Sequence, residues 1–214
     1  MKLLNLLFPP KCIFCGRIIK GEDQCFCGDC LSAAPFVKEQ RLKAGVSFVS
    51  GNTSVFFYEG RVRQALKRLK YQNKPQFAAF FGALLAKELK RTDDEPFDVA
   101  TWVPAYRWKT IRRGYNQAEL LAVKTAKALG IPARRLLFRC RPTRPQNGLT
   151  PSQRKANVLG AFRCADVCDF SGKRVLLIDD ILTTGATASE CARMLLESGC
   201  REVYLATVAK TRGK

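Results

Sequence analysis

Asp179 and Asp180 stand side by side, and shortly after them runs Thr183-Thr184-Gly185-Ala186-Thr187, a small, hydroxyl-rich turn with one glycine. The backbone N–H groups of Thr183 to Thr187, with hydroxyls from the threonines, can surround a phosphate at the start of a helix, whose dipole favours negative charge. Carboxylates just upstream are acceptors for sugar hydroxyls or for a hydrated Mg²⁺. A site with phosphate on one side and a diol or Mg²⁺ on the other suits a phosphorylated ribose. The competing reading is an ordinary strand-to-helix turn with two solvated aspartates.

The flanking residues predict the elements that would hold this turn. Val175-Leu176-Leu177-Ile178 is a run of branched apolar residues that leads straight into the acid pair, as a buried strand does. Ala188, Cys191, Ala192 and Leu195 then fall at i, i+3, i+4 and i+7, the apolar stripe of a helix. Gly199 stands where that helix would stop, and Val203 to Val208 reads as the next strand. The chemistry therefore sits at the carboxyl end of a buried parallel strand, where open α/β sheets bind ligands. A second buried strand, Asp98 to Pro104, delivers Arg107, Lys109, Arg112 and Arg113 into a loop suited to gripping pyrophosphate. A helix from Gln117 to Leu129 follows, closed by Gly130. Trp108 and Tyr115, beside those arginines, could equally stack on bases.

Of ten cysteines, five lie between residues 12 and 30. The pairs Cys12/Cys15 and Cys27/Cys30 have the C-x-x-C spacing of a tetrahedral Cys₄ zinc site. Disulfides and a thioredoxin-like redox role are the weaker alternatives. Cys25 could replace one ligand or remain a thiol. Four thiolates leave no open position on the metal, so the zinc is expected to be structural.

No histidine is present, which removes Ser-His-Asp and Cys-His catalysis and histidine metal ligation. Lysine and arginine number 37 against 18 acids, a formal net charge of +19 that attracts polyphosphates and nucleic acid alike. No apolar run approaches the ~20 residues of a membrane span. The Met1–Pro10 stretch reads as a short amphipathic helix rather than a signal peptide, and a cytoplasmic location is expected. Residues 35–54 read as a connector, Val55 to Gly60 as a strand and turn, and two basic helices follow, the second with Phe81, Leu84, Leu85 and Leu89 inward. Their cationic faces could meet phosphate or nucleic acid, but read by default as solvated. Arg139 to Asn157 reads as an irregular basic loop, either a lid over a phosphorylated ligand or a linker.

The Asp179 to Thr187 segment resembles the phosphoribosyl-pyrophosphate (PRPP) motif of the type I phosphoribosyltransferases. That resemblance implies that the acidic pair meets the ribose hydroxyls and the loop holds the 5′ phosphate. The whole chain resembles the ComF (competence) family, ComFC-like proteins included. The likeness rests on Leu3 to Pro10, the cysteine pairs, Leu69-Lys70-Tyr71, Arg113 to Ala122, Gln146-Asn147-Gly148-Leu149, Arg154, Asn157, Gly160-Ala161-Phe162 and the Asp179 loop. It departs after Val103-Pro104, where the family usually carries Leu-His-Pro and this chain has Ala105-Tyr106-Arg107.

The resemblance implies an α/β, type I phosphoribosyltransferase-like parallel sheet flanked by helices (residues 49–214), preceded by a helix and small Cys₄ zinc finger (1–48). It implies PRPP and Mg²⁺ as ligands, with Asp179, Asp180 and Arg113 as catalytic candidates and Thr183, Thr184, Gly185, Ala186 and Thr187 holding phosphate. It also implies a role in DNA uptake, with competence and recombination proteins as partners. The alternative is a non-catalytic factor that binds single-stranded DNA or protein and keeps the PRPP pocket as a sensor or a vestige.

Overall fold

Leu176 and Leu177 are adjacent in sequence, face opposite ways and are both wholly buried, because their strand is covered on both sides. The computed structural model describes residues 9–19, 25–38, 46–71, 75–106, 110–111, 114–143, 148–165 and 170–212. In chain order the elements are α1 (Gly28–Ser32), β1 (Gly51–Phe57), α2 (Gly60–Tyr71), α3 (Phe77–Thr92), β2 (Val99–Trp102), α4 (Gln117–Leu129), β3 (Leu137–Arg139), α5 (Pro151–Val158), β4 (Phe162–Cys164), β5 (Arg174–Leu182), α6 (Ala186–Glu197) and β6 (Glu202–Lys210). Four strands form a parallel sheet in the order β1-β6-β5-β2, and β3 and β4 pair as a separate antiparallel hairpin. Leu176 and Ile178 join one core cluster with Leu66, Phe81 and Leu121 of α2, α3 and α4. Val175 and Leu177 join the other, with Leu137, Phe162, Cys191 and Leu195 of the hairpin and α6. The expected α/β architecture is present, and the apolar stripe Ala188, Cys191, Ala192 and Leu195 is buried.

Two sequence expectations are corrected. β1 begins at Gly51, inside the stretch read as a connector. Its Asn52, Thr53 and Ser54 are buried, and hydroxyl partners make that tolerable for the last two: Thr53 meets Tyr204 at 2.9 Å and Thr92 at 3.0 Å, and Ser54 meets Thr207 at 2.7 Å. The stretch read as an irregular basic loop holds α5 and the end of β3. Thr150 and Gln153 form a capping box around Pro151, a local start signal that outweighs the polar composition. Residues 144–147 of that loop and residues 1–8 lie outside the described residues.

Helices α3 and α4 approach closely at Gly82, where a Cβ would lie 2.6 Å from the Lys124 Cβ. A helix-interior glycine costs about 1 kcal/mol against alanine, so this one answers to packing. At the amino ends of the strands, Arg174 is 3% exposed yet charged. It makes a two-pronged pair with Asp93 (3.0 and 2.8 Å), donates to Glu202 at 2.9 Å and lies 4.5 Å from the Phe97 ring centre.

The Cys12, Cys15, Cys27 and Cys30 sulfurs lie within 4.8 Å of one another, with Cys15 and Cys27 3.8 Å apart. Four thiolates around one Zn²⁺ at about 2.3 Å sit about 3.8 Å apart, so this donor set fits the ion. Cys25 is not among the four clustered sulfurs. The module does not hang free. Phe14 packs edge-on against Phe56 and Phe80, centroids 6.0 and 6.3 Å apart, and Cys12, Ile13 and Ile19 belong to the same cluster as α2 and α3. Arg61 of α2 donates to the Cys30 sulfur at 2.8 Å, and Arg68 donates to the Ile13 carbonyl at 3.1 Å.

Truncating Arg174 to alanine leaves Asp93 and Glu202 facing each other without a cation. We expect a loss of about 3–5 kcal/mol in urea unfolding, far above a surface substitution. We also expect about one Zn²⁺ per chain by elemental analysis. Its removal by a strong chelator should lower the melting temperature, because the metal's binding free energy is folding free energy for so small a module. An unchanged melting temperature after complete removal would refute that role.

Candidate active site

A cleft of about 570 Å³ opens across the carboxyl ends of the sheet strands. β5 delivers Asp179 and Asp180, and the Thr183–Thr187 turn that follows lines the same space. The turn ends in Gly185, the N-cap of α6, at φ 75°. That left-handed conformation is open to glycine and strained for other side chains, so the strand can turn sharply into the helix. β2 contributes Val103 to Tyr106, and the start of α4 contributes Asn116 and Gln117. Asn116 fixes this edge by accepting from Ala118 N at 3.1 Å and donating to the Val103 carbonyl at 3.2 Å.

Seven of the residues singled out from sequence therefore share one cleft: Asp179, Asp180, Thr183, Thr184, Gly185, Ala186 and Thr187. Arg113, with Arg107, Trp108, Lys109 and Arg112, lies outside the described residues. Tyr115 is taken up structurally, its hydroxyl donating to the Leu69 carbonyl at 2.5 Å.

The site also contains residues whose default reading from sequence is a solvated face, with phosphate or nucleic acid as the alternative. Lys70 donates to Asp180 Oδ2 at 2.9 Å, the two side chains 29% and 12% exposed. Arg63 and Lys67 line the cleft from the same helix, with Tyr58 and Tyr71 beside them. Their i, i+4, i+7 spacing in a helix without one acidic residue was the available signal. The solvated reading suits α3 better, where Arg91 pairs locally with Glu88 at 2.6 Å. Arg139, at the end of β3, lines the cleft too. Its guanidinium lies 5.9 Å from the Tyr106 ring centre and 5.3 Å from that of Phe162. Its Nε is buried without a hydrogen-bond partner among the described residues. A buried, unsatisfied cationic donor beside a phosphate-suited turn is the property expected of a group that awaits an anion.

The two carboxylates are not equivalent. Burial, and after it the charge of Asp180, pushes the Asp179 carboxyl up to about 7, while its hydrogen bond from the Asp180 amide and the charge of Lys70 pull the other way. Asp180's negative charge raises Lys70 against the opposing effect of burial, so that lysine stays charged. The cleft thus holds one carboxylate with a fixed counter-ion and another that readily takes a proton near neutrality. No helix among the described residues is long and apolar enough to cross a membrane.

Comparison with known proteins gives a consistent assignment. Residues 3–43 match the double zinc ribbon domain and residues 117–214 the phosphoribosyl transferase domain. The chain is similar to competence protein F of Haemophilus influenzae, with 30% identity over 94% of this chain and 85% of that protein. It is similar to the DNA utilization protein YhgH of Salmonella typhi, again with 30% identity, over 94% of this chain and 84% of that one. Among solved structures, glutamine PRPP amidotransferase from B. subtilis overlaps 61% of this chain and 25% of its own, at 24% identity and a TM-score of 0.42. With a zinc ribbon before a phosphoribosyltransferase domain, and with identity extending over nearly its whole length, the chain belongs to the competence protein F family.

Proposed function

We propose that this protein binds PRPP with Mg²⁺ in the β5–α6 cleft and transfers or senses the phosphoribosyl group in the handling of incoming DNA. The observation that carries the reading is the union, in one cleft, of an acid pair, a glycine-capped turn at a helix start and a half-buried arginine whose buried Nε has no hydrogen-bond partner among the described residues. In this reading Thr183, Thr184, Gly185, Ala186 and Thr187 hold the 5′ phosphate with amides and hydroxyls. Asp179 and Asp180 accept from the ribose hydroxyls, and their negative charge stabilises positive charge that grows on the sugar as pyrophosphate leaves. Mg²⁺, when bound, would neutralise the pyrophosphate oxygens and favour their departure. Arg113 is assigned to the same leaving group by family likeness.

The setting follows from the relatives, which are named for competence and for DNA utilization. A cytoplasmic location, a working boundary between residues 48 and 49, and competence or recombination proteins as partners belong to the same proposal. The charge of +19 favours a second role alongside it, contact with single-stranded DNA, which must weaken steeply as salt rises. A pocket that binds PRPP without turnover would make the protein a sensor. Pyrophosphate release from PRPP across a panel of bases and nucleotides separates that case from an enzyme.

Asp179→Asn keeps the shape and loses the charge. A hydrogen bond to a charged group contributes about 1.5–3 kcal/mol, so calorimetry should show PRPP–Mg²⁺ binding weakened roughly 10-fold to 100-fold. Unchanged affinity would count heavily against the assignment.

The pH dependence has a definite sign. Asp179 is raised in the folded, ligand-free protein, so between its unfolded and folded values the folded state holds the extra proton. The ligand-free protein therefore loses stability from this group as pH rises from about 4 to about 7. PRPP–Mg²⁺ needs the carboxylate, so affinity should rise from about pH 6 to about pH 8 with proton release on binding. Calorimetry in buffers of different ionisation enthalpy reads that release. Asp179→Asn should abolish the part that does not come from the ligand's own phosphate.

A further inference from the structure

Helix α2 carries Arg61, Arg63, Lys67, Arg68 and Lys70 and no acidic residue. Three of these cations have partners: Arg61 the Cys30 sulfur, Arg68 the carbonyls of the zinc module, and Lys70 the Asp180 carboxylate. Arg63 and Lys67 have no carboxylate partner among the described residues, although both line the cleft. The nearest acid in sequence, Glu59, is engaged by Arg212 at 2.7 Å. Like charges held one helical turn apart repel each other, and a bound anion between them relieves that cost.

Their position distinguishes them from the phosphate turn. In the order β1-β6-β5-β2, the turn follows β5, while Tyr58 and the first turns of α2 follow the edge strand β1; the helix then runs across to β5, where Lys70 meets Asp180. Strands lie about 4.8 Å apart, so the β1 end of the cleft is about 10 Å from the β5 end. β2, after which the sequence carries the arginines read as a pyrophosphate grip, is on the far side of β5. At the β1 end Arg63 lies 5.9 Å from the Tyr58 ring centre, and Lys67 follows one helical turn along α2. Tyr71 is at the other end of the helix, beside Lys70 and the acid pair. Cations beside an aromatic ring suit a ligand that combines a phosphate with a stacking base.

We propose that Arg63, Lys67 and Tyr58 form a second subsite in the cleft, which takes a nucleoside monophosphate as the molecule facing the phosphoribosyl group. The subsite rests on the proposed reading of the β5 turn only for which ligand lies opposite it; its own chemistry is independent. The exposed Arg63 and Lys67 bind the phosphate and Tyr58 stacks on the base. A nucleotide can be free or the end of a strand, and the free monomer is the ligand proposed.

The test uses full-length, zinc-loaded protein and titrates AMP, GMP, CMP, UMP, the corresponding nucleosides and PRPP–Mg²⁺ into wild type, the Arg63→Ala/Lys67→Ala double variant and Asp179→Asn. We expect at least one monophosphate to bind at least 10-fold tighter than its nucleoside and to lose at least 10-fold in the double variant, with PRPP affinity within 2-fold of wild type. Asp179→Asn should show the reverse pattern. The proposal is overturned if no monophosphate binds better than its nucleoside. It is equally overturned if the double variant weakens PRPP as much as the nucleotide, for then the ridge grips pyrophosphate. Binding of a single-stranded oligonucleotide but of no monophosphate would overturn it in favour of a strand. Monophosphate binding with no PRPP binding by wild type would leave the subsite standing and sink the reading of the β5 turn instead. Both substituted residues are exposed on a helix and alanine suits helices, so folding should survive; circular dichroism and melting temperature check that directly.

Discussion

Lys70 and Asp180 meet at 2.9 Å, where α2 crosses the carboxyl end of β5, and the electrostatics of the cleft follow from that contact. Two adjacent carboxylates on a strand walled by apolar residues repel each other and resist ionisation. One ammonium group placed against Asp180 removes that conflict for half of the pair and leaves Asp179 to carry the strain. The arrangement sets a fixed cation, Lys70, against Asp180 and leaves Asp179 as the adjustable group.

The placement of Lys70 in turn depends on how α2 is held, because an ion pair between long side chains on a loose helix contributes little. Three faces of α2 are occupied. Val62, Ala65, Leu66 and Leu69 are buried against the sheet and neighbouring helices. Arg61 and Arg68 reach the zinc module. Arg63, Lys67 and Lys70 turn to the cleft. Tyr115, at the start of the β2-side helix, adds a hydrogen bond to the Leu69 carbonyl directly before Lys70. A short, strongly cationic helix with no acids of its own would be poorly stable alone, so tertiary contacts set its position.

This division explains what could be read in the sequence. The β5–α6 unit was legible because two independent periodicities flank a turn whose residue types permit few structures. The cysteine pairs were legible because thiolate geometry restricts their spacing. The first half of β1 was not, because Thr53 and Ser54 satisfy their hydroxyls with Tyr204 and Thr207 on another strand, partners some 150 positions away. Lys70 and its ridge were hidden for a related reason. A lysine on a solvated face and a lysine against a buried carboxylate look alike until the fold shows what lies opposite. The missing acids of α2 were the one local clue, since a solvated cationic face is usually interleaved with carboxylates, as Glu88 and Arg91 are on α3.

The zinc module then has a physical role that catalysis at the metal could not give it. Four thiolates saturate a tetrahedral ion, so the metal offers nothing to a substrate. Its sulfurs and the carbonyls of Ile13 and Phe14 are instead acceptors for arginines on the helix whose other face lines the cleft. Negative charge on a metal-bound Cys30 sulfur strengthens its bond from Arg61, a charge-assisted contact. The cysteine module and the cleft therefore meet different faces of a single helix, with Arg61 and Lys70 nine residues apart on it, about 14 Å at 1.5 Å per residue.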